Sequence, residues 1–411
     1  VKRARLAVAL AVSVAAFWSL VLVDRPPPLP SPELCLTVLD VGQGDALLLS
    51  FPNQRHWLVD GGGVQGGGYD VGVRRLLPML RRLGVEHLDK LFLTHPHADH
   101  FEGLFAVLES LTVDEMWLPR GDGLEPRARA LVQLARRRGL RIREAGRGAE
   151  LVAELAPAEA RLLYPWPGWQ HDLGRSQADA NNSSMVLRVA LGKVSFLLTG
   201  DIEAPAEELL LARGAVLRST VIKAPHHASR TSSTASFVEA VDPLVAVAGI
   251  GRDNRFGFPH ASVSARYLGR GTPLMWTGRH GHMRLCTSGY SLRMEKLNER
   301  GSASLLREWG VEEISEWSGR SESQSARQVE RSSKEAVRSS APVGGLTAEF
   351  SGGKQVQKRR KRRTRRKRRT SRTAKPAPPQ VEAEPERVRL LDDREWQRSR
   401  KARRRLKAPW R

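Results

Sequence analysis

The 411 residues contain only two cysteines, Cys35 and Cys286. That excludes a disulfide-stapled scaffold and any zinc module built on four thiolates. Long apolar runs are equally scarce. The one run of membrane length, from Leu6 to Val23, excludes a channel made of many spans. Acidic residues are also in short supply, with 44 Asp and Glu against 67 Lys and Arg, for a net charge of +23. The deficit is local: residues 301–411 carry 31 basic and 14 acidic side chains, net +17, which leaves +6 for residues 1–300. The high isoelectric point therefore describes a tail, and the remainder is only mildly basic.

Composition divides the chain into four parts. Residues 1–24 hold Lys2, Arg3 and Arg5 and then the eighteen uncharged positions Leu6–Val23, just enough to span a bilayer core as a helix. A cleaved signal peptide shares the basic start, but the run exceeds the usual apolar core and its junction lacks an A-x-A-like site. An uncleaved single-pass anchor is expected, with the basic flank cytoplasmic and everything after Asp24 on the far side of an inner membrane. Residues 25–32, RPPPLPSP, form a stiff linker. Residues 33–298 alternate short apolar strands (LCLTVLDV, ALLLSF, LDKLFLT, SMVLRVAL, VSFLLTGD, STVIKAP) with helical patterns (VGVRRLLPMLRRLG, EGLFAVLESL, RARALVQLARRRG). Strands outnumber helices and several could pair as hairpins, so the expected fold is α/β with mixed sheets covered by helices. Residues 299–411 read as a low-complexity, disordered tail, with 11 basic residues in the 12 positions 358–369. Such a block suits DNA or anionic lipid through counterion release.

The chemistry concentrates in THPHADH, which follows the strand LDKLFLT and precedes a helix. A loop leaving a strand end can fan His95, His97, Asp99 and His100 into one cleft. Alternate residues His95 and His97 can grip one divalent ion while Asp99 and His100 turn toward a second. Imidazole and carboxylate suit zinc, manganese or iron. The histidines outside such motifs, His171, His280 and His282, are expected at the surface or in turns. Cys35 and Cys286 lie in the first and nearly last strand patterns, where a disulfide and two buried thiols are both open.

HPHADH matches the HxHxDH motif of the metallo-β-lactamase superfamily. LTVLDVGQGDALLL, WLVDGGG, NNSSMVLRV, FLLTGDIE, VIKAPHHAS and FGFPHASV accompany it in order. That succession resembles the C-terminal hydrolase domain of ComEC-type competence proteins, which take up DNA across the inner membrane. The resemblance implies an αβ/βα sandwich of two mixed sheets with flanking helices. It implies one or two divalent ions, manganese or zinc, held by His95, His97, Asp99, His100, Asp201 and His260. Asp201 would bridge the two ions, and Asp60 would support the ligands. His226 or His227 would contact the phosphate or act as general acid, although their roles and that of His260 could be exchanged. Asp40, Gln43 and Asp45 match a signature of the competence-type branch, and Ser229 could bind phosphate.

Two departures from the superfamily pattern bear on the metal. Where a histidine usually completes the first site, the chain has Asn181, Asn182 and Ser183. This leaves that site poorer in nitrogen and more favourable to an oxygen-preferring ion such as manganese. Phe258 stands where a first histidine commonly precedes the proline before His260. The expected activity is hydrolysis of DNA phosphodiesters during DNA uptake, either as a split competence protein beside a separate channel subunit or as a stand-alone anchored enzyme. Hydrolysis of another ester or amide, such as a lactone or β-lactam, is one alternative; a nucleic-acid-binding protein with a vestigial metal site is another. Strand preference and oligomeric state stay open.

Overall fold

The computed structural model describes residues 33–64, 68–119, 124–145, 155–173 and 179–319. The expected anchor (1–24), linker (25–32) and basic block (358–369) lie outside the described residues. Among those that are described, no helix is long and apolar enough to cross a membrane.

Among the described residues, fifteen strands form two sheets. They are β1 (Leu34–Val38), β2 (Leu47–Ser50), β3 (His56–Val59), β4 (His87–Phe92), β5 (Thr112–Leu118), β6 (Arg141–Glu144), β7 (Glu159–Tyr164), β8 (Val186–Leu191), β9 (Val194–Leu198), β10 (Val221–Lys223), β11 (Val245–Ala248), β12 (Leu274–Trp276), β13 (His282–Thr287), β14 (Leu292–Leu297) and β15 (Ala303–Trp309). The larger sheet runs β15-β14-β13-β1-β2-β3-β4-β5-β6 and the smaller β12-β11-β10-β9-β8-β7. Both are mixed. In the first, β3 to β6 are parallel and the rest antiparallel. In the second, β9 to β12 are parallel while β7, β8 and β9 pair antiparallel.

Period-two alternation explains the layering. Leu34, Leu36 and Val38 of β1 and Leu47 and Leu49 of β2 face inward onto Leu187, Val189, Phe196, Val245 and Val247 of the second sheet. The opposite faces are covered by helices. Leu48, Leu58 and Leu91 pack on Leu77, Leu80, Leu104 and Leu131. Ile222 and Ala246 pack on Phe237, Val238, Val263 and Tyr267. The result is the expected αβ/βα sandwich, and the three helical patterns read from the sequence appear as Gly72–Leu76 continuing into Leu77–Arg82, Leu104–Ser110 and Pro126–Arg137.

Two expectations change and one open question closes. First, the fold continues past residue 298. β15 pairs antiparallel with β14, a helix covers 311–319, and Trp309 and Ile314 join the inter-sheet core. The composition shift near residue 299 reflects an edge strand exposed on both faces over Ala303 to Leu306. Second, His282 is buried in β13, where its Nδ1 accepts from the Asp40 N–H at 2.9 Å, and His280 is half-buried against Trp276. Only His171 stays at the surface as expected. Third, the cysteine question closes: Cys35 and Cys286 are opposed residues of β1 and β13 and form a disulfide.

Candidate metal centre

The centre is assembled from loops at the carboxyl ends of strands, where α/β sheets place their ligands. β3 delivers Asp60, β4 delivers His95 to His100, β9 delivers Asp201, and β10 delivers His226 and His227. The loop after β1 brings in Asp45. Its backbone N–H donates to the Asp99 carbonyl at 3.2 Å.

Asp201 lies at the middle. Its Oδ2 is 3.2 Å from His100 Nε2, 3.2 Å from His227 Nε2, 4.0 Å from His95 Nε2 and 4.0 Å from His226 Nε2. Asp99 Oδ2 is 3.4 Å from His227 Nε2 and 3.9 Å from His100 Nε2. His95 Nε2 and His97 Nδ1 are 3.0 Å apart, aimed at one point. Asp45, His100, Asp201 and His227 are all buried, and their donor atoms lie within 4.8 Å of one another. Buried His227 has no hydrogen-bond partner on either ring nitrogen among the described residues. Converging nitrogens and carboxylate oxygens with an unsatisfied buried imidazole are a donor set that fits divalent ions.

Surrounding hydrogen bonds fix these groups. Asp60 accepts from the Thr94 N–H at 2.8 Å, from Thr94 Oγ1 at 2.7 Å and from His100 Nδ1 at 2.8 Å. His100 is thereby held with Nε2 toward Asp201, the arrangement that orients and enriches a ligating imidazole. Burial raises the Asp60 carboxyl's pKa despite the opposing His100. Burial also opposes charge on His100, but Asp201, Asp60 and Asp99 outweigh it and raise its pKa well above the usual value. His227 behaves alike: burial lowers its pKa, yet Asp201 and Asp45 push it up to about 9. For His95, burial and the His100 charge act together, and its pKa falls well below normal. Burial would raise the Asp99 carboxyl, but His100 and His227 hold it low.

Two side chains in contact with the cluster escaped the sequence reading. Lys223, the last residue of β10, is fully buried. Its Nζ lies 2.5 Å from Asp45 Oδ2 and 3.0 Å from Asp201 Oδ1, and it donates to the Gly200 carbonyl at 2.8 Å. A lysine ending an otherwise apolar strand, next to a histidine pair, was the available signal. Glu203, two residues after Asp201, accepts from His226 Nδ1 at 2.9 Å, Thr231 Oγ1 at 2.8 Å and Asn181 Nδ2 at 3.3 Å. The His226 hydrogen bond, outweighing burial, holds its carboxyl below the usual range.

Two of the expected histidines take different places. His227 joins Asp99, His100 and Asp201, whereas His260 caps the helix Ala261–Gly269 through Nδ1 and shows no contact with the cluster among the described residues. His226 sits at the rim, its side chain 22% exposed, with Nε2 facing Asp201. His226, His227 and Ala228 all have positive φ (45°, 51° and 60°), local strain of the kind that collects at functional sites.

The remaining expected residues serve the frame. Asn182 Oδ1 accepts from the Glu203 N–H at 3.0 Å, and Ser183 Oγ donates to the Ala180 carbonyl at 2.6 Å, so neither replaces the missing ligand directly. Asp40 closes its turn on the Gly42 N–H at 3.1 Å, and Gln43 Oε1 accepts from the Gly251 N–H at 3.3 Å. Ser229 Oγ pairs with Thr231 Oγ1 at 3.0 Å. Gly44 has φ +120°, and a Cβ there would overlap the Asp99 carbonyl oxygen. Gly44→Ala should therefore displace Asp99 and weaken manganese binding roughly 10- to 100-fold, as loss of ligand support generally does. Calorimetric titration checks this; unchanged affinity would mean that the loop does not hold Asp99.

An αβ/βα sandwich carrying such a cluster at its strand ends defines a metal-dependent hydrolase. The chain belongs to the metallo-beta-lactamase superfamily, whose family model matches residues 39–252. It is similar to ComE operon protein 3 of Bacillus subtilis (strain 168), at 30% identity over 57% of this chain and 31% of that protein. It is also similar to Competence protein ComA of Neisseria gonorrhoeae, at 31% identity over 68% of this chain and 37% of that protein. The match thus spans only about a third of each of these curated relatives. Among solved structures, the metallo-beta-lactamase fold protein YhfI of Bacillus subtilis aligns with a TM-score of 0.39 at 10% identity, covering 60% of this chain and 97% of that one.

Proposed function

We propose that the protein is a divalent-metal phosphodiesterase that hydrolyses DNA on the extracytoplasmic side of the inner membrane during competence-type DNA uptake. The observation that carries this is the joint arrangement of Asp99, His100 and His227 around Asp201, with the His226–Glu203 pair at the open rim. His95 and His97 with Asp201 would hold one ion, and Asp99, His100, His227 and Asp201 a second. When bound, the ions supply positive charge to the phosphoryl group and lower the pKa of water.

The chain's own residues do the rest. Asp99, partly open to solvent, orients the attacking water. His226 delivers a proton to the departing sugar oxygen from Nε2, and Glu203 fixes the ring by holding Nδ1. Lys223 offsets the negative charge of Asp45 and Asp201 where no water can reach. Similarity to competence proteins supports DNA as the substrate. The Cys35–Cys286 disulfide supports an oxidising compartment, because such bonds persist outside the cytosol.

A leaving-group comparison tests the role of His226. His226→Ala should slow cleavage of DNA, whose leaving alkoxide needs a proton, about 10²- to 10⁴-fold. The same change should spare a nitrophenyl phosphodiester, whose leaving group departs unprotonated. Equal losses on both substrates would remove His226 from the acid role.

A further inference from the structure

An aromatic stack leads from the metal cluster to the surface. The Phe258 ring lies 6.2 Å from His227 at an interplanar angle of 26°, and Phe256 lies 5.5 Å from Phe258 at 17°. Three rings thus stand nearly parallel, beginning at a side chain 3.2 Å from Asp201. The outermost, Phe256, is 54% exposed. Asn254 holds its loop: Nδ2 donates to the Gly251 carbonyl at 3.3 Å and to the Phe258 carbonyl at 2.8 Å, while Oδ1 accepts from the Phe258 N–H at 2.9 Å. An exposed phenylalanine on a loose loop would be unremarkable. Here Asn254 clamps the loop at Gly251 and Phe258, and the ring is aligned with Phe258.

One cation lies against the exposed ring and a second is on the same loop. The Arg255 guanidinium lies over the Phe256 ring, 5.4 Å from its centroid, where a stacking base would displace it toward the flanking backbone. Arg252, exposed on the same loop, donates from Nε to the Gly278 carbonyl at 3.4 Å. Aromatic faces beside arginines are the combination that binds single-stranded nucleic acid: the ring stacks a base and the cations meet phosphates. We propose that Phe256 is a stacking subsite for an unpaired nucleobase next to the scissile phosphate. Phe258 relays its position from His227, and Arg255 faces a flanking phosphate. A base inside a duplex is already paired and stacked, so this subsite selects unpaired strands.

This role presupposes that the site hydrolyses DNA, and two readouts on the full chain separate the two ideas. The first is cleavage with added manganese. Phe256→Ala should raise KM for a single-stranded oligonucleotide roughly 5- to 150-fold at similar kcat. An abasic residue beside the cleaved bond should cost wild type a similar factor, and the two losses should not add. Phe256→Trp should retain tight binding, and thermal unfolding should be unchanged in both variants. The second readout is quenching of 2-aminopurine in a single strand without metal, expected in wild type and Phe256→Trp and absent in Phe256→Ala. Manganese-dependent cleavage with KM and quenching indifferent to Phe256 would overturn the stacking role and leave hydrolysis standing. Phe256-dependent quenching without cleavage of any strand would overturn hydrolysis and leave stacking standing.

Discussion

Asp201→Ala should lower kcat/KM for DNA on the order of 10³-fold or more while the circular dichroism spectrum stays native. Asp201 Oδ2 is the oxygen that faces His100 and His227 at 3.2 Å each and His95 and His226 at 4.0 Å each. Removing it takes a shared ligand from both prospective ions, and metal activation is worth several kcal/mol at about 1.4 kcal/mol per tenfold. Asp201 lies in the loop after β9 and is buried against Lys223, so alanine also costs stability. Asp201→Asn, which keeps the side-chain volume, should lose activity alike with a smaller loss of stability. A variant that cuts DNA at the wild-type rate would place the reaction elsewhere on the protein.

Lys223→Met should have the largest effect on stability. The ammonium is fully buried between Asp45 and Asp201. Burial opposes its charge, but Asp201 and Asp45 outweigh that and raise its pKa above the normal lysine value. Methionine has similar bulk and no charge, so the change leaves two carboxylates facing each other with their cation gone. Breaking a buried pair in this way costs about 3–5 kcal/mol. Part of the loss should be recovered with manganese, because a bound cation replaces some of the missing charge. Urea denaturation with chelator and with manganese reads both quantities. An unchanged midpoint in chelator would mean that Lys223 does not balance the carboxylates.

What could be read from the sequence divides along a physical line. HPHADH was legible because one turn after one strand carries four candidate ligands within six positions, so local geometry suffices. Asp60 and Asp201 were legible because each ends an apolar strand and must emerge at the sheet's edge. Which of His226, His227 and His260 lies inside the cluster was left open, since the answer depends on three consecutive positive φ angles at His226, His227 and Ala228. Lys223 was hidden because a strand-end lysine usually reaches solvent, and only the loop carrying Asp45 closes over it. β15 was missed because an edge strand with exposed Leu305 and Leu306 and interspersed charges lacks the alternation that marks a half-buried strand. His282 was misread for a related reason: a lone histidine in a strand carries no sign of the Asp40 backbone that it meets across 242 positions.

The most direct measurement takes the full chain stripped with chelator, restores manganese or zinc by titration, and follows bound metal together with cleavage of an oligonucleotide. The account predicts no cleavage without metal, cleavage that rises as up to two ions bind, and greater activity with manganese than with zinc. Oligonucleotide cleavage that persists in chelator, or an intact oligonucleotide at full metal occupancy, would contradict it.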